Sequence, residues 1–186
     1  MPHDYATRER AEVRRRDRAV KDEAWIVELL RRAPMASLAT ISEGQPFINS
    51  NLFVYDAERH LIYMHTARYG RTRSNLEAHA PVCLSISEMG RLLPADTALE
   101  FSVEYAGVTV FGRGAVVQDE AEAAYGLQLL LDKYCPHLRP GEHYRASTPE
   151  ELARTAVYCI EIEEWSGKRK AVAEDFPGAF VYPFTG

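Results

Sequence analysis

The sequence lacks most of the features that mark secreted, membrane-spanning and nucleic-acid-binding proteins. Its three cysteines, Cys83, Cys135 and Cys159, are an odd number without a CxxC pair, which argues against a disulfide framework and a zinc site. No run approaches the ~18 apolar residues of a membrane span, and residues 1–20 contain no apolar signal-peptide region. The formal net charge of −5 disfavours a general nucleic-acid role. We therefore predict a cytoplasmic protein with reduced cysteines.

What is present is typical of an ordinary globular protein. Apolar residues make up 46% of the 186-residue chain, which is enough to build a core, and we predict a single domain over residues 1–186. The spacing of apolar residues predicts an N-terminal helix at about 17–33, and a C-terminal tail covers about 171–186. The charged stretch 8–18 has interleaved glutamates, which indicates a solvated helix and not a nucleic-acid arm.

Strand-like runs separated by turn residues dominate the middle of the chain. We predict strands at 35–41, 46–56, 61–67, 81–87, 98–119 and 157–165, with SGKRK (166–170) breaking the last one, and helices at 71–80, at 120–134 and just after Thr148. Asp119 and Glu122 form a capping-box pattern before the second of these helices. Because no βαβ alternation is visible, we predict a mainly β protein with peripheral helices, folded as a small antiparallel barrel.

One short stretch, YMHTARYGRTRSNLEAH (63–79), combines groups that suit a phosphate. A helix start supplies unpaired backbone N–H groups, to which Arg71 and Arg73 add charged donors and Thr72 and Thr66 add hydroxyls. Gly70 allows a tight turn into the helix. The alternative is that the arginines form a solvated helix face that pairs with Glu77, and local chemistry alone favours that alternative.

The order of several motifs resembles that of a known family. ASLAT, PFINSNLFVYD, IYMHTARYGRTRSNLEAHAPVCLSISE, SVEYAGVTVFGRGAVVQDEAEAAYGLQLLLDKY and IEIEEWSGKRK follow one another over roughly residues 15–170. This order resembles the pyridoxamine 5′-phosphate oxidase-like flavoproteins, and most of all the branch of the nitroimidazole-resistance (Nim) proteins. The resemblance implies an antiparallel FMN-binding split β-barrel.

The resemblance also implies a cofactor site. His65 and Thr66 would lie along the ribityl-phosphate arm of FMN, and Arg71, Thr72 and Arg73 would form the phosphate-binding turn. His65 is also the candidate catalytic residue, because a histidine in this place is associated with the flavin and substrate pocket in the Nim branch. The alternative for His65 is a hydrogen-bonded structural histidine in a strand.

The isoalloxazine end of the site is implied in the same way. Asn49, Ser50 and Asn51 would run beside the ring, and Trp165 and Lys168 would approach it, often from the other subunit of a homodimer with the flavin at the interface. The alternatives are that Asn49 and Asn51 bond backbone at a bulge, and that Trp165 is a core anchor.

No metal site is predicted, because the spacing of Cys135, His137 and His143 matches no zinc pattern. The expected function is that of an FMN-dependent oxidoreductase that passes electrons from a reduced nicotinamide to a small acceptor, such as a nitro compound or quinone. The alternatives are a non-catalytic flavin or haem binder acting as a sensor or carrier, and a partner-binding dimer that has lost its cofactor. Pyridoxamine-phosphate oxidation itself is not expected, because WSGKRKAVAEDFPG (165–178) departs from the basic C-terminal signature of the oxidase.

Overall fold

The computed structural model describes residues 9–182. The predicted domain 1–186 therefore extends beyond the described residues at both ends, and so do the last four residues of the predicted tail 171–186 and the first residue of the stretch 8–18. Within residues 9–182 the chain forms eight β-strands and four α-helices, preceded by a short 3₁₀ turn at Arg16–Arg18.

The strands are β1 (Ala19–Val20), β2 (Ala36–Ser42), β3 (Gln45–Asn51), β4 (Phe53–Asp56), β5 (Leu61–Ala67), β6 (Pro81–Leu93), β7 (Ser102–Val116) and β8 (Thr155–Lys170). The helices are α1 (Glu23–Arg32), α2 (Arg71–Ala78), α3 (Glu120–Tyr134) and α4 (Pro149–Leu152).

All strand pairs are antiparallel, and they join into one sheet in the order β3-β2-β6-β7-β8-β5-β4, with β1 paired to β8. The two strands at the ends of this order, β3 and β4, are neighbours in the chain and are separated by Leu52 alone. The sheet therefore curls until its two edges meet at Leu52, which makes a split barrel. The prediction of a mainly β protein with peripheral helices is confirmed.

The core lies inside the curled sheet. Alternate residues of β2, β6, β7 and β8 point inward, as the period of two along a strand requires, and α1 closes one end with Ile26, Leu29 and Leu30 buried. A second, smaller cluster lies outside β4, β5 and β8, where Leu130 of α3 packs with Tyr63 and Val157. The two clusters place α1 and α3 on either side of the β4–β5 hairpin.

Several predicted boundaries are wrong in an instructive way. The helix predicted at 17–33 begins only at Glu23, because Asp22 caps it by accepting from the backbone N–H of Ala24 at 3.0 Å. The preceding residues, Ala19–Val20, pair with β8 instead. The stretch 8–18 is not a helix over its described residues beyond the 3₁₀ turn.

In that stretch, the Arg10 guanidinium bonds Glu164 at 2.7 Å and Glu163 at 2.6 Å and lies over the Phe111 ring. The N-terminal arm, residues 9–18, is thus docked on the outside of β7 and β8.

Two strand predictions need larger corrections. The strand predicted at 46–56 is two strands on opposite edges of the sheet, and the strand predicted at 157–165 continues through SGKRK to Lys170. It continues because Gly167 is buried against Val20 and its missing side chain leaves room for α1. The strands predicted at 81–87 and 98–119 are observed as Pro81–Leu93 and Ser102–Val116, while the helix at 120–134 is confirmed.

Candidate functional site

The start of α2 lacks the groups that usually satisfy a helix N-terminus. Its N-cap is Gly70, which has no side chain to accept a hydrogen bond, and the first turn contains no acidic residue. Gly70 adopts φ 153° and ψ 169°, a region that is essentially restricted to glycine, and a Cβ there would meet no atom within 4 Å. Within residues 9–182, the N–H groups of Arg71, Thr72 and Arg73 have no partner, and the first helical bond is donated by Ser74 to Gly70.

The two arginines of this turn are held differently. Arg73 donates to Glu77 at 2.7 Å and to the backbone oxygen of Arg68 at 3.2 Å, which is the predicted helix-face pairing. Arg71 is exposed and contacts the Phe47 ring at 5.5 Å, and among the described residues no carboxylate pairs with it. The turn therefore presents three free backbone donors and one free guanidinium to a single region of space, which suits an anion.

Two amide side chains, Asn49 and Asn75, anchor this turn to the sheet. Thr72 and Asn75 are buried on the inner side of α2. The Asn49 amide donates to the Thr72 hydroxyl at 3.2 Å, and the Asn75 amide donates to the Thr40 hydroxyl at 2.8 Å. The Thr72 hydroxyl accepts this bond and keeps its own proton, so it remains a donor of the turn beside the backbone N–H groups and Arg71.

Asn75 and Thr40 were missed by the sequence reasoning. The only local signal is that Asn75 comes directly before Leu76 in a short helix. An exposed asparagine would give the same pattern, so the sequence does not distinguish the two cases.

Ser50 and Asn51 hold the end of β3. The Asn51 amide donates to the backbone oxygen of His65 at 2.6 Å and its oxygen accepts from the N–H of Leu52 at 2.9 Å. Asn51 thus bonds backbone and joins β3 to β5, whereas the Asn49 amide bonds the Thr72 side chain, and the β2–β3 register has no bulge at either residue. The Ser50 hydroxyl pairs with Ser37 on β2 at 2.8 Å.

His65 and Thr66 lie at the end of β5, across the split from β3. Burial lowers the pKa of His65 below its usual value, and within residues 9–182 its imidazole has no hydrogen-bond partner. Within these residues, His65 therefore does not make the hydrogen bonds that the alternative interpretation, a structural histidine, requires. The Thr66 hydroxyl lies 2.6 Å from the Tyr158 hydroxyl and donates to the Ala67 carbonyl at 3.0 Å.

Trp165 and Lys168 do not join this group within one chain. The β5–β8 register pairs His65 with Val157, and Trp165 lies eight residues further along β8, on the order of 25 Å away. There Trp165 packs edge to face on His60 at 4.8 Å and Tyr55 at 5.8 Å and contacts the main core. The Lys168 ammonium lies 5.3 Å from the Tyr105 ring.

The predicted site thus falls into two halves. The first half contains Asn49, Ser50, Asn51, His65, Thr66, Arg71, Thr72 and Arg73. The second half contains Trp165 and Lys168. A cleft of about 670 Å³ opens beside the second half, between the N-terminal arm, Val20, Ile26 and Trp165.

Neither a metal-binding cluster nor a membrane-spanning helix occurs in the described part of the chain. No group of three or more His, Cys, Asp or Glu side chains there could hold a metal ion, and His143 accepts from the backbone of Arg139 instead. Between residues 9 and 182, no helix has the length and apolar character needed to cross a bilayer.

The curled antiparallel sheet makes this protein a split barrel, and an uncapped helix start with two arginines lies beside the split. Comparison with known proteins identifies the family. A family model described as pyridoxamine 5′-phosphate oxidase matches residues 22–169. The chain therefore belongs to the pyridoxamine 5′-phosphate oxidase family. No curated protein matches the sequence.

Similar solved structures extend this result. The flavocytochrome Anf3 from Azotobacter vinelandii is 26% identical with a TM-score of 0.77, over 95% of this chain and 86% of that one. An FAD and heme binding protein from Mycobacterium smegmatis is also 26% identical, with a TM-score of 0.72 over 82% and 73%. A candidate 5-nitroimidazole antibiotic resistance protein from Bacteroides thetaiotaomicron is 16% identical, with a TM-score of 0.67 over 81% and 86%, which shows the fold alone.

Proposed function

We propose that this protein binds a flavin, and specifically FMN, with the phosphate at the start of α2. The observation that carries the proposal is the uncapped turn, in which the N–H groups of residues 71–73 have no partner within residues 9–182 and Arg71 is free of any carboxylate there. Family membership supports the same conclusion, as do the two relatives at 26% identity, a flavocytochrome and an FAD and heme binding protein.

The residues present fit an FMN phosphate. A phosphate accepts several hydrogen bonds and carries negative charge, and the turn offers backbone donors, the positive end of the helix dipole and the Arg71 guanidinium. The space in front of Gly70 is open. Arg73 already donates to Glu77 and to the Arg68 carbonyl. It therefore supports phosphate binding through its positive charge more than through direct hydrogen bonds.

The flavin ring would lie along the split between β3 and β5. Bound flavin supplies hydride and single-electron chemistry at its ring, and the activity we propose is reduction of a small acceptor such as a nitro compound. His65 is the catalytic candidate, because its half-buried imidazole has no other described partner and its lowered pKa keeps it neutral near pH 7, where it can accept a proton.

The first test is an absorption spectrum of the purified protein, with the released ligand identified by mass. Maxima at about 375 and 450 nm are expected for bound flavin, together with the mass of FMN. Turnover is then checked by following reduction of a nitroaromatic compound with NADH or NADPH. A colourless protein that also fails to take up added FMN contradicts the proposal, whereas the mass of FAD would correct the cofactor and leave flavin binding intact.

We also propose a cytoplasmic homodimer in which each flavin contacts both subunits. In support, Trp165 and Lys168 lie far from Arg71 within one chain, so that they can complete a site only on a second copy. The three cysteines are free, as a reducing compartment maintains them.

Subunit complementation tests the shared site. Arg71→Ala and Lys168→Ala are each expected to weaken FMN binding. When the two variants are unfolded, mixed and refolded together, half of the dimers should contain one copy of each. Each mixed dimer has one site built from two wild-type halves, so about a quarter of all sites should be restored. Arg71→Ala mixed with itself is the control. If the mixture recovers no sites, the site is not shared in this way.

Haem binding on the same barrel is the second candidate. The two relatives at 26% identity are described as a flavocytochrome and as an FAD and heme binding protein, and haem iron needs an axial ligand such as a neutral imidazole. His65, half-buried and free of described partners, is the best placed histidine. A Soret band that disappears in His65→Ala would support this candidate, and a purely flavin-like spectrum would contradict it.

A further inference from the structure

The last two residues of α3 lie behind the point where the two edges of the sheet meet. The Lys133 ammonium donates to the backbone oxygens of Leu30 and Phe53, each at 3.0 Å, and lies 3.7 Å from the centroid of the Phe53 ring. No carboxylate lies within ion-pair distance of Lys133 in the described part of the chain. A half-buried cation whose acceptors are two carbonyls and a ring is unusual, because such charges are normally paired.

Tyr134 adds a second set of bonds at the same place. Its hydroxyl lies 2.9 Å from the backbone oxygens of both Pro34 and Phe53, and it accepts from the backbone N–H of Phe53 at 3.1 Å. The two side chains therefore join the last turn of α1, the linker after it and the first residue of β4. Phe53 is held at its N–H, its carbonyl and its ring.

Phe53 comes two residues after Asn51, which bridges the split. On the sheet side, the Asn51 amide is bonded to His65 on β5, and β3 is bonded to α2 through Asn49 and Thr72. On the other side, Lys133 and Tyr134 fix Phe53 against α1 and α3. Leu52 between them belongs to neither strand and is exposed, so the direction of the chain at the split depends on these flanking anchors.

From this geometry we infer that Lys133 is a positioning residue for the flavin site: it sets the kink at Leu52 and thereby the separation of β3 from β5. The inference rests on the proposed function, since it assigns a role in a site that has been proposed above. Lys133 does not touch the flavin; it acts through Phe53 and Asn51. Its charge also lies in the last turn of α3 and beside the last turn of α1, where cations are favourable.

The test compares Lys133→Met with Leu130→Ala. Met keeps the length and apolar stem of the lysine and removes the donor, whereas Leu130→Ala removes buried surface from α3 without touching Phe53. Both variants are expected to lower stability. FMN titration is done at a temperature at which circular dichroism shows both to be folded.

We expect Lys133→Met to weaken FMN binding by about tenfold or more, and Leu130→Ala to leave it within about twofold, since a tenfold change corresponds to the loss of roughly one good hydrogen bond. Lys133→Arg, which keeps charge and donors, should recover most of the affinity. Equal affinities of Lys133→Met and the wild type would overturn the inference, and so would equal losses in Lys133→Met and Leu130→Ala.

Hydrogen exchange separates a failure of this inference from a failure of the proposed function. In the flavin-free protein, Lys133→Met should speed exchange of the Phe53 amide and of residues 49–51 while the β6–β7 ladder stays protected. A wild type that binds no FMN would contradict the proposed function alone, and faster exchange would then still support the kink anchor. Unchanged exchange at Phe53 would overturn the inference whether or not FMN binds.

Discussion

The four α-helices of residues 9–182 begin in two different ways. Three of them start with a side chain that accepts a backbone N–H and with acidic residues in the first turn: Asp22 for α1, Asp119 for α3 and Thr148 for α4, where a full capping box is present. The start of α2 has glycine, no cap and two arginines.

This difference has a cost in stability for α2 and bears on the proposed phosphate site. A side-chain cap contributes about 0.5–2 kcal/mol, and acids in the first turn add to it, so α2 forgoes stability that the other helices have. Burial of Leu76 and Asn75 on its inner side offsets part of the loss. Among the four helices of residues 9–182, α2 alone starts without a side-chain cap, and this difference is what the proposed phosphate site rests on.

An acidic residue in the first turn of α2, as the other three helices have, should have the largest effect on FMN affinity. Arg71→Glu places an acid in the first turn, where it repels phosphate, and we expect FMN affinity to fall on the order of a hundredfold. The flavin-free protein should gain about 0.3–1 kcal/mol, because an acid suits a helix N-terminus. Titration and thermal unfolding measure the two effects, and Arg113→Glu, on an exposed arginine of β7, is the matched control.

If Arg71→Glu binds FMN as well as the control does, the start of α2 is not the phosphate site. A loss of both binding and stability would instead show that Arg71 has a structural role that its exposure does not suggest.

Changing the cap residue itself should have a somewhat smaller effect. Gly70→Ala puts a Cβ where φ is 153°, and we expect a loss of about 1–3 kcal/mol from backbone strain alone, since the Cβ meets no atom. Urea unfolding measures it. Gly107→Ala, whose Cβ would be in ordinary contact 3.5 Å from the Ile86 carbonyl, should lose less. Equal losses would show that the conformation of Gly70 is not what matters.

Removing the cap of a helix that has one tests whether the caps affect only stability and not FMN binding. Asp119→Ala leaves the N–H of Glu122 without its acceptor at 2.8 Å, and we expect a loss of about 1 kcal/mol with FMN affinity unchanged. The comparison would fail if Asp119→Ala weakened FMN binding as much as a change in α2 does.

The smallest expected effect is a pH response confined to a capped helix. The Arg145 guanidinium and the backbone N–H of Thr148 lower the pKa of Glu151 from 4.5 to about 2. Because the folded pKa is below the ordinary one, the contribution of Glu151 is present above pH 4.5 and is lost as the pH falls toward 2. The group is exposed, so the effect is local fraying of α4, visible in NMR amide shifts of residues 149–152.

The first turn of α2 has no carboxylate, and the amides of residues 71 and 72, which precede the Arg73–Glu77 ion pair, should show no such titration. Amide shifts of residues 71 and 72 that titrate over the same range would contradict this contrast.

Local signals in the sequence predicted much of the fold. Helix α3 was predicted residue for residue, because Asp119 is a strong cap and the apolar spacing after it is regular. Its expected capping box was only half right: Asp119 accepts from Glu122, but the Glu122 carboxylate accepts from the Tyr63 hydroxyl at 3.1 Å instead of bonding back to the cap. A partner 59 residues away in the chain leaves no local trace.

The same limit explains the other errors. The break at Leu52 depends on α3 and on β5, and the length of β8 depends on the contact of Gly167 with Val20. Each is set by residues distant in sequence. For the site, the sequence marked the turn at Gly70 and Arg71, because a glycine followed by basic residues before a helix is visible locally. It did not show which arginine is paired, nor that Trp165 and Lys168 lie at the far end of β8.

The position of β8 in the sheet has a consequence for synthesis of the chain. This last strand pairs with β1, β5 and β7, so the β4–β5 hairpin and the β3-β2-β6-β7 sheet remain separate until residues 155–170 leave the ribosome. Until then β5 and β7 each present an unpaired edge, which is the condition under which nascent chains aggregate. The last strand therefore both closes the barrel and covers the two edges that the earlier strands leave open.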